Sequence, residues 1–236
     1  MYYEFGDYDI YYEIIGSKNC KGNIIFLHGW GSNLTSFNKQ VEYFKNLYKL
    51  YLIDFPGFGL SSEAEEDFIL DDYVSLLNNF ITDLKINDPI IIAHSFGGRV
   101  LIKYASRNKV KACIFIASAG IKHYKFKKTF KIIKYKLKKK YYKLTKNYLK
   151  YNLLIKNSGS SDYLMLTDKM KKVMNNVIKI NLKNYLKDIK SKTLLIWGKY
   201  DTEVPIQDAS LNILMPASRA STMPLYLAIY VFCKRS

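Results

Sequence analysis

One short stretch of the chain passes from strand to helix around a single serine, and it constrains the fold more than any other feature. The apolar run at residues 89–93 predicts a buried strand. Helical spacing begins directly after Ser95, at Val100 and Tyr104. A strand, a tight turn and a helix with a hydroxyl at the apex form the context of a Gly-x-Ser-x-Gly nucleophile elbow, here with Ala93 as the first small residue. The stretch therefore predicts a nucleophile at Ser95, and the alternative is an ordinary strand-to-helix loop.

Apolar runs that predict buried strands alternate with stretches of helical spacing through the first 120 residues. After a predicted antiparallel hairpin at residues 2–15, these runs lie at residues 23–27, 50–53, 89–93 and 112–117, and strand character returns at 193–198. Such alternation predicts an α/β fold, in which a largely parallel sheet carries helices on both faces.

Residues 122–190 contain no strand-like run and predict an all-helical insertion between two strands of the sheet. The segment holds 21 lysines and 3 acidic residues, whereas the rest of the chain carries a net charge of −1. Its apolar residues recur at three- and four-residue steps, which predicts a helix with one apolar and one lysine face: Phe126, Phe130, Ile133, Leu137, Tyr141 and Leu144. We expect this insertion to lie as a lid over the carboxyl edge of the sheet, where ligands of such folds bind.

Two interpretations of the lysine-rich segment stay open. In the first interpretation, the segment forms a surface that binds anionic lipid, nucleic acid or an acidic substrate. Alternatively, it reflects a general preference for lysine, since 33 of the 37 basic residues are lysine. We expect at most weak binding of an anionic surface by the lid and no specific recognition of nucleic acid.

The composition also bears on location and cofactors. We find no signal peptide at the N-terminus and no apolar run near the 18 residues of a membrane span. Three widely spaced cysteines, of which Cys113 lies in an apolar strand-like run, favour a cytoplasmic protein. The three histidines and three cysteines do not match a metal-ligand spacing, so we expect neither a metal nor another cofactor.

Four motifs, in matching order, resemble the α/β-hydrolase fold superfamily over roughly residues 1–210. They are the sequences His-Gly-Trp-Gly at 28–31, Asp-Phe-Pro-Gly-Phe-Gly at 54–59, Ala-His-Ser-Phe-Gly-Gly at 93–98 and Trp-Gly-Lys-Tyr-Asp at 197–201. The resemblance implies domain bounds of 1–121 and 191–210 for the hydrolase core, 122–190 for the lid and 211–236 for an atypical tail.

The resemblance implies a serine hydrolase with an esterase-like reaction on a small-molecule acyl substrate. Ser95 would be the nucleophile and Asp201 the acid of the catalytic triad. The oxyanion hole would consist of the backbone N–H groups of Trp30 and Phe96, of which the second lies at a helix N-terminus. From the residues themselves, Asp54 either positions the His-Gly loop or serves as an N-cap or loop-closing residue, and Arg99 extends toward solvent or forms an ion pair on the helix after Ser95.

The chain departs from the family at the general base. Family order places a histidine some 25–30 residues after the acid, yet none of the 35 residues after Asp201 is histidine. His28 and His94 belong to the two motifs above. His123 begins the lid, and the alternative that it acts as a stand-in general base stays open. The triad histidine is therefore absent, and we expect this chain to be impaired as an enzyme.

The tail differs in composition from the chain before it. From Leu211 onward it holds one asparagine and one lysine but two arginines. We hypothesise that the reading frame or the expressed sequence diverges near residue 209, and the alternative is a divergent homologue without the base. Loss of the last strand and helix would leave an unpaired sheet edge, so we expect low stability.

A different functional class also stays open, namely a non-catalytic binding protein that holds anionic partners on its cationic lid.

Overall fold

The structure is a computed structural model that describes residues 1–16, 20–120, 126–156, 166–198, 201, 204 and 229–232. Eight strands in this part of the chain form one sheet in the order β1-β2-β4-β3-β5-β6-β7-β8. Their bounds are β1 Tyr2–Phe5, β2 Tyr8–Ile15, β3 Asn23–Leu27, β4 Lys49–Ile53, β5 Ile90–His94, β6 Ala112–Ile116, β7 Lys192–Gly198 and β8 Ile229–Phe232.

The sheet is antiparallel at one side and parallel elsewhere. Strands β1 and β2 pair antiparallel with each other, and β2 pairs antiparallel with β4. Each pair from β4 through β3, β5, β6 and β7 to β8 is parallel. The predicted α/β fold with a largely parallel sheet is confirmed.

Helices flank the sheet and follow most of its strands. A short 3₁₀ helix, Leu34–Phe37, precedes the first α-helix. The α-helices are α1 Asn38–Phe44, α2 Leu70–Asp83, α3 Phe96–Ala105, α4 Phe126–Leu144, α5 Tyr148–Lys156, α6 Asp168–Val177 and α7 Lys183–Leu186. Helices α4 to α7 lie between β6 and β7 in the chain, within the range predicted to be helical.

The core consists of two apolar layers, one on each face of the sheet. Side chains alternate between the layers along each strand, so that Ile25 and Leu27 of β3 pack in one layer while Phe26 packs in the other. The larger layer contains apolar residues of α2, α3 and α6. The smaller layer contains Phe37 and Val41, from the 3₁₀ helix and α1.

The expectation of an unpaired edge at β7 is wrong. Strand β8 pairs parallel with β7, from Leu195 opposite Ile229 to Gly198 opposite Phe232. The tail therefore supplies a strand in spite of its atypical composition. The backbone of residues 229–232 forms hydrogen bonds with the backbone N–H and C=O groups of β7. The rest of the predicted tail, 211–228 and 233–236, lies outside the described residues.

Within the described ranges, no helix is both long enough and apolar enough to cross a membrane.

Candidate active site

The carboxyl ends of six parallel strands lie along one edge of the sheet, and the segments that follow four of them carry the predicted site residues. Trp30 follows β3, Ser95 and Phe96 follow β5, and Asp201 follows β7. The loop after β4 begins with Asp54. Since parallel strands end on the same edge, the topology brings these segments together where ligands of such folds bind.

Ser95 has a strained backbone between β5 and α3. Its φ of 45° and ψ of −107° lie in a region that residues with a side chain rarely adopt. Neighbouring segments hold the residue in place, because its N–H donates to Ile116 O at 3.1 Å and its carbonyl accepts from the N–H groups of Gly98 and Ala119. The conformation is the one that an exposed nucleophile at a strand-to-helix turn requires.

The loop after β3 lies directly against this turn. The N–H of Gly97 donates to the carbonyl of His28 at 3.0 Å. A Cβ built on Gly29 would lie 2.8 Å from His94 Nδ1 and 3.4 Å from Ser95 Cβ. Because Gly29 has no side chain, the loop can approach Ser95 this closely.

Trp30 and Phe96, the two candidate oxyanion-hole residues, contact each other. Their rings meet edge to face with centroids 5.0 Å apart. Neither backbone N–H donates a hydrogen bond within the described part of the chain. Phe58 and Tyr73 pack edge to face on Trp30 and Phe96 respectively, so the aromatic rings fix both residues beside Ser95.

His28 is fully buried, and both nitrogens of its ring are hydrogen-bonded. Its Nε2 accepts from the N–H of Phe55 at 2.9 Å, which leaves the ring proton on Nδ1 to donate to Gly29 O at 2.8 Å. Burial lowers the pKa of His28 to about 4, and the nearby His94 adds to this effect. His28 is therefore a neutral structural residue that joins the loops after β3 and β4.

Asp54 joins two loops, in agreement with its predicted loop-closing role. Its Oδ1 accepts from the N–H of Leu34 at 2.7 Å, and its Oδ2 accepts from the N–H of Leu60 at 2.9 Å. Burial raises the pKa of the Asp54 carboxyl, while the two amide donors oppose the shift. The carboxylate thus holds the segment after Trp30 against the loop after β4.

Asp201 lies in a turn beyond the end of β7. Its backbone N–H donates to Gly198 O at 3.3 Å, and its Oδ1 accepts from the N–H of Val204 at 2.8 Å. The indole N–H of Trp197 donates to Val204 O at 3.0 Å and ties this turn to the core.

His94 is the described histidine that lies nearest to both candidate catalytic groups. It precedes Ser95 in the chain, and the charge of Asp201 acts on its ring. Burial lowers the pKa of His94, and the attraction of Asp201 opposes that shift. The third histidine, His123, lies outside the described residues.

Arg99 has a role that the sequence analysis did not identify. It was expected to extend toward solvent or to form an ion pair, yet it is buried at 5% exposure. Its guanidinium donates to the carbonyls of Val177 at 2.9 Å and of Ile180 at 2.6 Å, at the end of α6. The composition does carry a signal for this role. Arginine is rare in this lysine-rich chain, and a guanidinium group can donate hydrogen bonds to two carbonyl acceptors.

Helix α6 is further attached to the acidic loop that precedes α2. Lys169 pairs with Glu65 at 2.8 Å, and Lys172 pairs with Glu66. The Met170 side chain packs so closely on Gly57 that a Cβ there would overlap it. The lysines of α6 are therefore partly neutralised within the chain.

The described residues contain no cluster of three or more histidine, cysteine, aspartate or glutamate side chains that could hold a metal ion. The described groups at the carboxyl edge include the Ser95 hydroxyl, the backbone N–H groups of Trp30 and Phe96, and the carboxylates of Asp54 and Asp201.

The chain is similar to known proteins in sequence and in fold. Pimeloyl-[acyl-carrier protein] methyl ester esterase of Wigglesworthia glossinidia brevipalpis is 26% identical over 263 positions, which cover 95% of this chain and 95% of that protein. The crystal structure of MGS-M2, an α/β hydrolase enzyme from a Medee basin deep-sea metagenome library, superposes with a TM-score of 0.70. That match is 20% identical and covers 98% of this chain and 89% of MGS-M2.

The esterase EaEST from Exiguobacterium antarcticum superposes with a TM-score of 0.67 at 19% identity, over 94% of this chain and 87% of that one. At such low identities the two structures establish the fold. The family model of the α/β hydrolase fold matches residues 22–150, more than half of the sequence and the part that contains Trp30, Ser95 and Phe96. The chain therefore belongs to the α/β hydrolase fold family.

Proposed function

We propose that the chain carries the site of a serine hydrolase for a carboxylic ester or a similar acyl compound. Ser95 Oγ attacks the acyl carbonyl, and the N–H groups of Trp30 and Phe96 stabilise the oxyanion that forms. Asp201 is the acid of the triad. The observation that carries the proposal is the strained φ of 45° at Ser95, on the carboxyl edge of a parallel sheet.

The reaction proceeds in two steps. Attack forms the bond between Ser95 Oγ and the acyl carbon, and the ester bond breaks to release an alcohol that takes up the serine proton. Water then attacks the acyl-enzyme and releases the carboxylic acid, and the proton returns to the serine. The esterase names of the relatives favour an ester as the substrate class.

The proposal includes a defect in the base. Serine needs an adjacent base to accept its proton, and Asp201 would serve to orient a histidine, not to replace it. His28 has no free ring nitrogen, and the sequence after Asp201 contains no histidine. In a serine protease, loss of the histidine lowers turnover by about 2 × 10⁶ and leaves roughly 10³–10⁴ over water. We expect a similar residual rate here.

A fluorophosphonate probe tests the nucleophile without any need for turnover. We expect slow labelling of the full chain at Ser95 and none in the S95A variant. Ser75, an exposed serine on α2, provides the matched control, and S75A should label like the parent chain. Labelling that survives in S95A would contradict the assignment.

Ester hydrolysis tests the defect separately. We expect turnover far below the ordinary kcat of about 10 s⁻¹. A rate in that range that disappears in S95A would refute the absence of a base and support Ser95 as the nucleophile.

Reading the gene in its other two frames past codon 209 tests why the histidine is absent, because a Gly-His pair there would indicate a frame change. If neither frame encodes one, the frame hypothesis fails.

A non-catalytic role for the lysine-rich insertion is the second candidate. The insertion divides into two parts. Lys169 and Lys172 of α6 pair with Glu65 and Glu66, whereas four of the five α4 lysines whose side chains the structure describes are exposed. Binding of an anionic partner is therefore best supported at α4 and α5.

A further inference from the structure

Helix α4 exposes the part of its predicted apolar stripe whose side chains the structure describes. The residues of the stripe whose side chains the structure describes are Leu137, Tyr141 and Leu144, with exposures of 63%, 61% and 73%. They follow one another at steps of four and three residues and share one face of the helix. On a helix that packs against a core, this face is buried. Here it is open to solvent.

Helix α5 also exposes large apolar side chains. Tyr148, Leu149 and Leu153 are 64%, 76% and 49% exposed. The two helices contact each other, and Asn147 between them accepts the N–H of Lys150 on its side chain at 3.2 Å. We call residues 126–156 the α4–α5 hairpin. It carries six of the thirteen exposed large apolar side chains in the described part of the chain.

The hairpin is also strongly cationic. Residues 126–156 include twelve lysines and no aspartate, glutamate or arginine. Lys134 and Lys140 are exposed and lie about 60° to either side of Leu137 around the helix axis. The apolar stripe is thus bordered by ammonium groups along both of its sides.

We propose that the α4–α5 hairpin binds the surface of an anionic lipid bilayer. An apolar stripe bordered by lysines is the pattern of a helix that lies in the interface, with its apolar side chains among the acyl chains. The lysine stems can cover apolar surface while their ammonium groups reach the anionic headgroups. The proposal uses the exposed side chains of the hairpin and no property of Ser95, so it does not depend on catalysis.

Charge complementarity selects this occupant over a second copy of the chain. Two hairpins packed face to face would bring together two sets of lysines with no acidic residue in either set. A soluble polyanion would satisfy the lysines but would leave the leucines exposed to water. A bilayer with anionic headgroups accommodates both kinds of side chain.

Co-sedimentation of the full chain with vesicles tests the proposal. We expect binding to phosphatidylcholine vesicles that contain about 30% phosphatidylglycerol, and at least tenfold weaker binding to phosphatidylcholine alone. Added salt should weaken the binding. Absence of binding to the anionic vesicles would overturn the proposal. So would equal binding to both kinds of vesicle, or binding of heparin by a chain that does not bind the vesicles.

One pair of double variants distinguishes binding through the apolar stripe from nonspecific hydrophobic binding. The double variant L144Q/L149Q leaves the charge unchanged, and we expect it to bind anionic vesicles about tenfold more weakly. The matched control, Y43Q/L47Q, removes two exposed apolar side chains from the region of α1 and should bind like the parent chain. If both variants lose binding equally, or neither does, the hairpin is not the docking surface.

A second comparison isolates the lysines. K134Q/K140Q/K143Q should reduce binding to anionic vesicles by at least tenfold, while K109Q/K187Q/K190Q, at three exposed lysines outside the hairpin, should reduce it far less. An equal loss in both triple variants would show that net charge alone drives the binding, and that result would refute the proposed surface. Circular dichroism of each variant confirms that the fold is retained.

Discussion

The N–H of Gly97 donates to the carbonyl of His28 at 3.0 Å, so the first turn of α3 is attached to the loop that carries Trp30. The approach is close, because a Cβ on Gly97 would lie 2.7 Å from the Leu27 carbonyl carbon and 2.8 Å from His28 O. Backbone lies on the other side of this contact, and it cannot rotate away as a side chain would.

We therefore expect Gly97→Ala to destabilise the fold by about 1–3 kcal/mol through overpacking. Urea unfolding followed by circular dichroism measures the change. Gly198→Ala is the matched control, since a Cβ there meets nothing closer than 3.8 Å. An equal loss of stability in both variants would contradict the steric explanation.

Replacement of Ser95 by glycine should stabilise the chain relative to replacement by alanine. Both variants lack the hydroxyl, but only glycine adopts the φ of 45° without strain. The strain amounts to roughly 1–3 kcal/mol, and the greater freedom of glycine in the unfolded chain offsets part of it. We expect S95G to be more stable than S95A by about 1 kcal/mol in urea unfolding. Equal stabilities would show that the conformation carries no strain.

Substitution of Arg99 should loosen α6. The buried guanidinium donates to the carbonyls of Val177 and Ile180, and Arg99→Gln would leave at least one of them without a partner. We expect a loss of about 2–3 kcal/mol, because bonds from a charged donor are strong. Hydrogen exchange should show faster exchange in Asp168–Val177 than in the parent chain.

Arg107, an exposed arginine two residues after the end of α3, provides the control for the hydrogen-exchange experiment. Arg107→Gln should leave exchange in α6 unchanged. A loss of protection in Arg99→Gln that is uniform over the whole chain would argue against a local attachment of α6.

The free energy of unfolding should depend on pH through His28. Its folded pKa of about 4 lies below the ordinary value of 6.5, so the unfolded chain binds the proton first as the pH falls. The contribution of His28 is therefore complete above about pH 6.5 and is lost progressively down to about pH 4, by about 3 kcal/mol in total. Urea midpoints across this range measure it.

His28→Asn tests the source of this pH dependence. The variant is expected to be less stable at neutral pH, since it loses the bonds to Phe55 and Gly29, but its stability should change less between neutral and acidic pH. His94 remains in both proteins, so the comparison isolates His28 together with its electrostatic interaction with His94. A pH dependence that is unchanged in the variant would assign the effect to other groups.

The sequence was sufficient to predict the parts of the site that depend on local pattern. The apolar run before Ser95 and the helical spacing after it predict β5 and α3, and their junction is where the structure strains the serine. The alternation of strands and helices predicts a parallel sheet, whose topology places Trp30 and Asp201 on the same edge as Ser95. Each of these inferences uses neighbours within a few residues or a rule of topology.

Contacts between residues that lie far apart in the chain could not be predicted from the sequence. The bonds from Arg99 to the end of α6 span about eighty residues, and no periodicity predicts them. Likewise, the apolar stripe of α4 can be predicted, but whether a core covers it depends on the position of the helix. The apolar run at residues 224–233 is compatible with a strand, but no local pattern identifies β7 as the strand that it pairs with.

The hydrogen bonds around Ser95 explain how such a turn persists in a chain that lacks the histidine. Its N–H and carbonyl are held by Ile116, Gly98 and Ala119, none of which depends on a catalytic partner. The same contacts begin α3 and connect β5 with β6, so the architecture itself maintains the turn. The conformation of Ser95 is therefore a property of the sheet and of α3, and its upkeep requires no imidazole beside the serine.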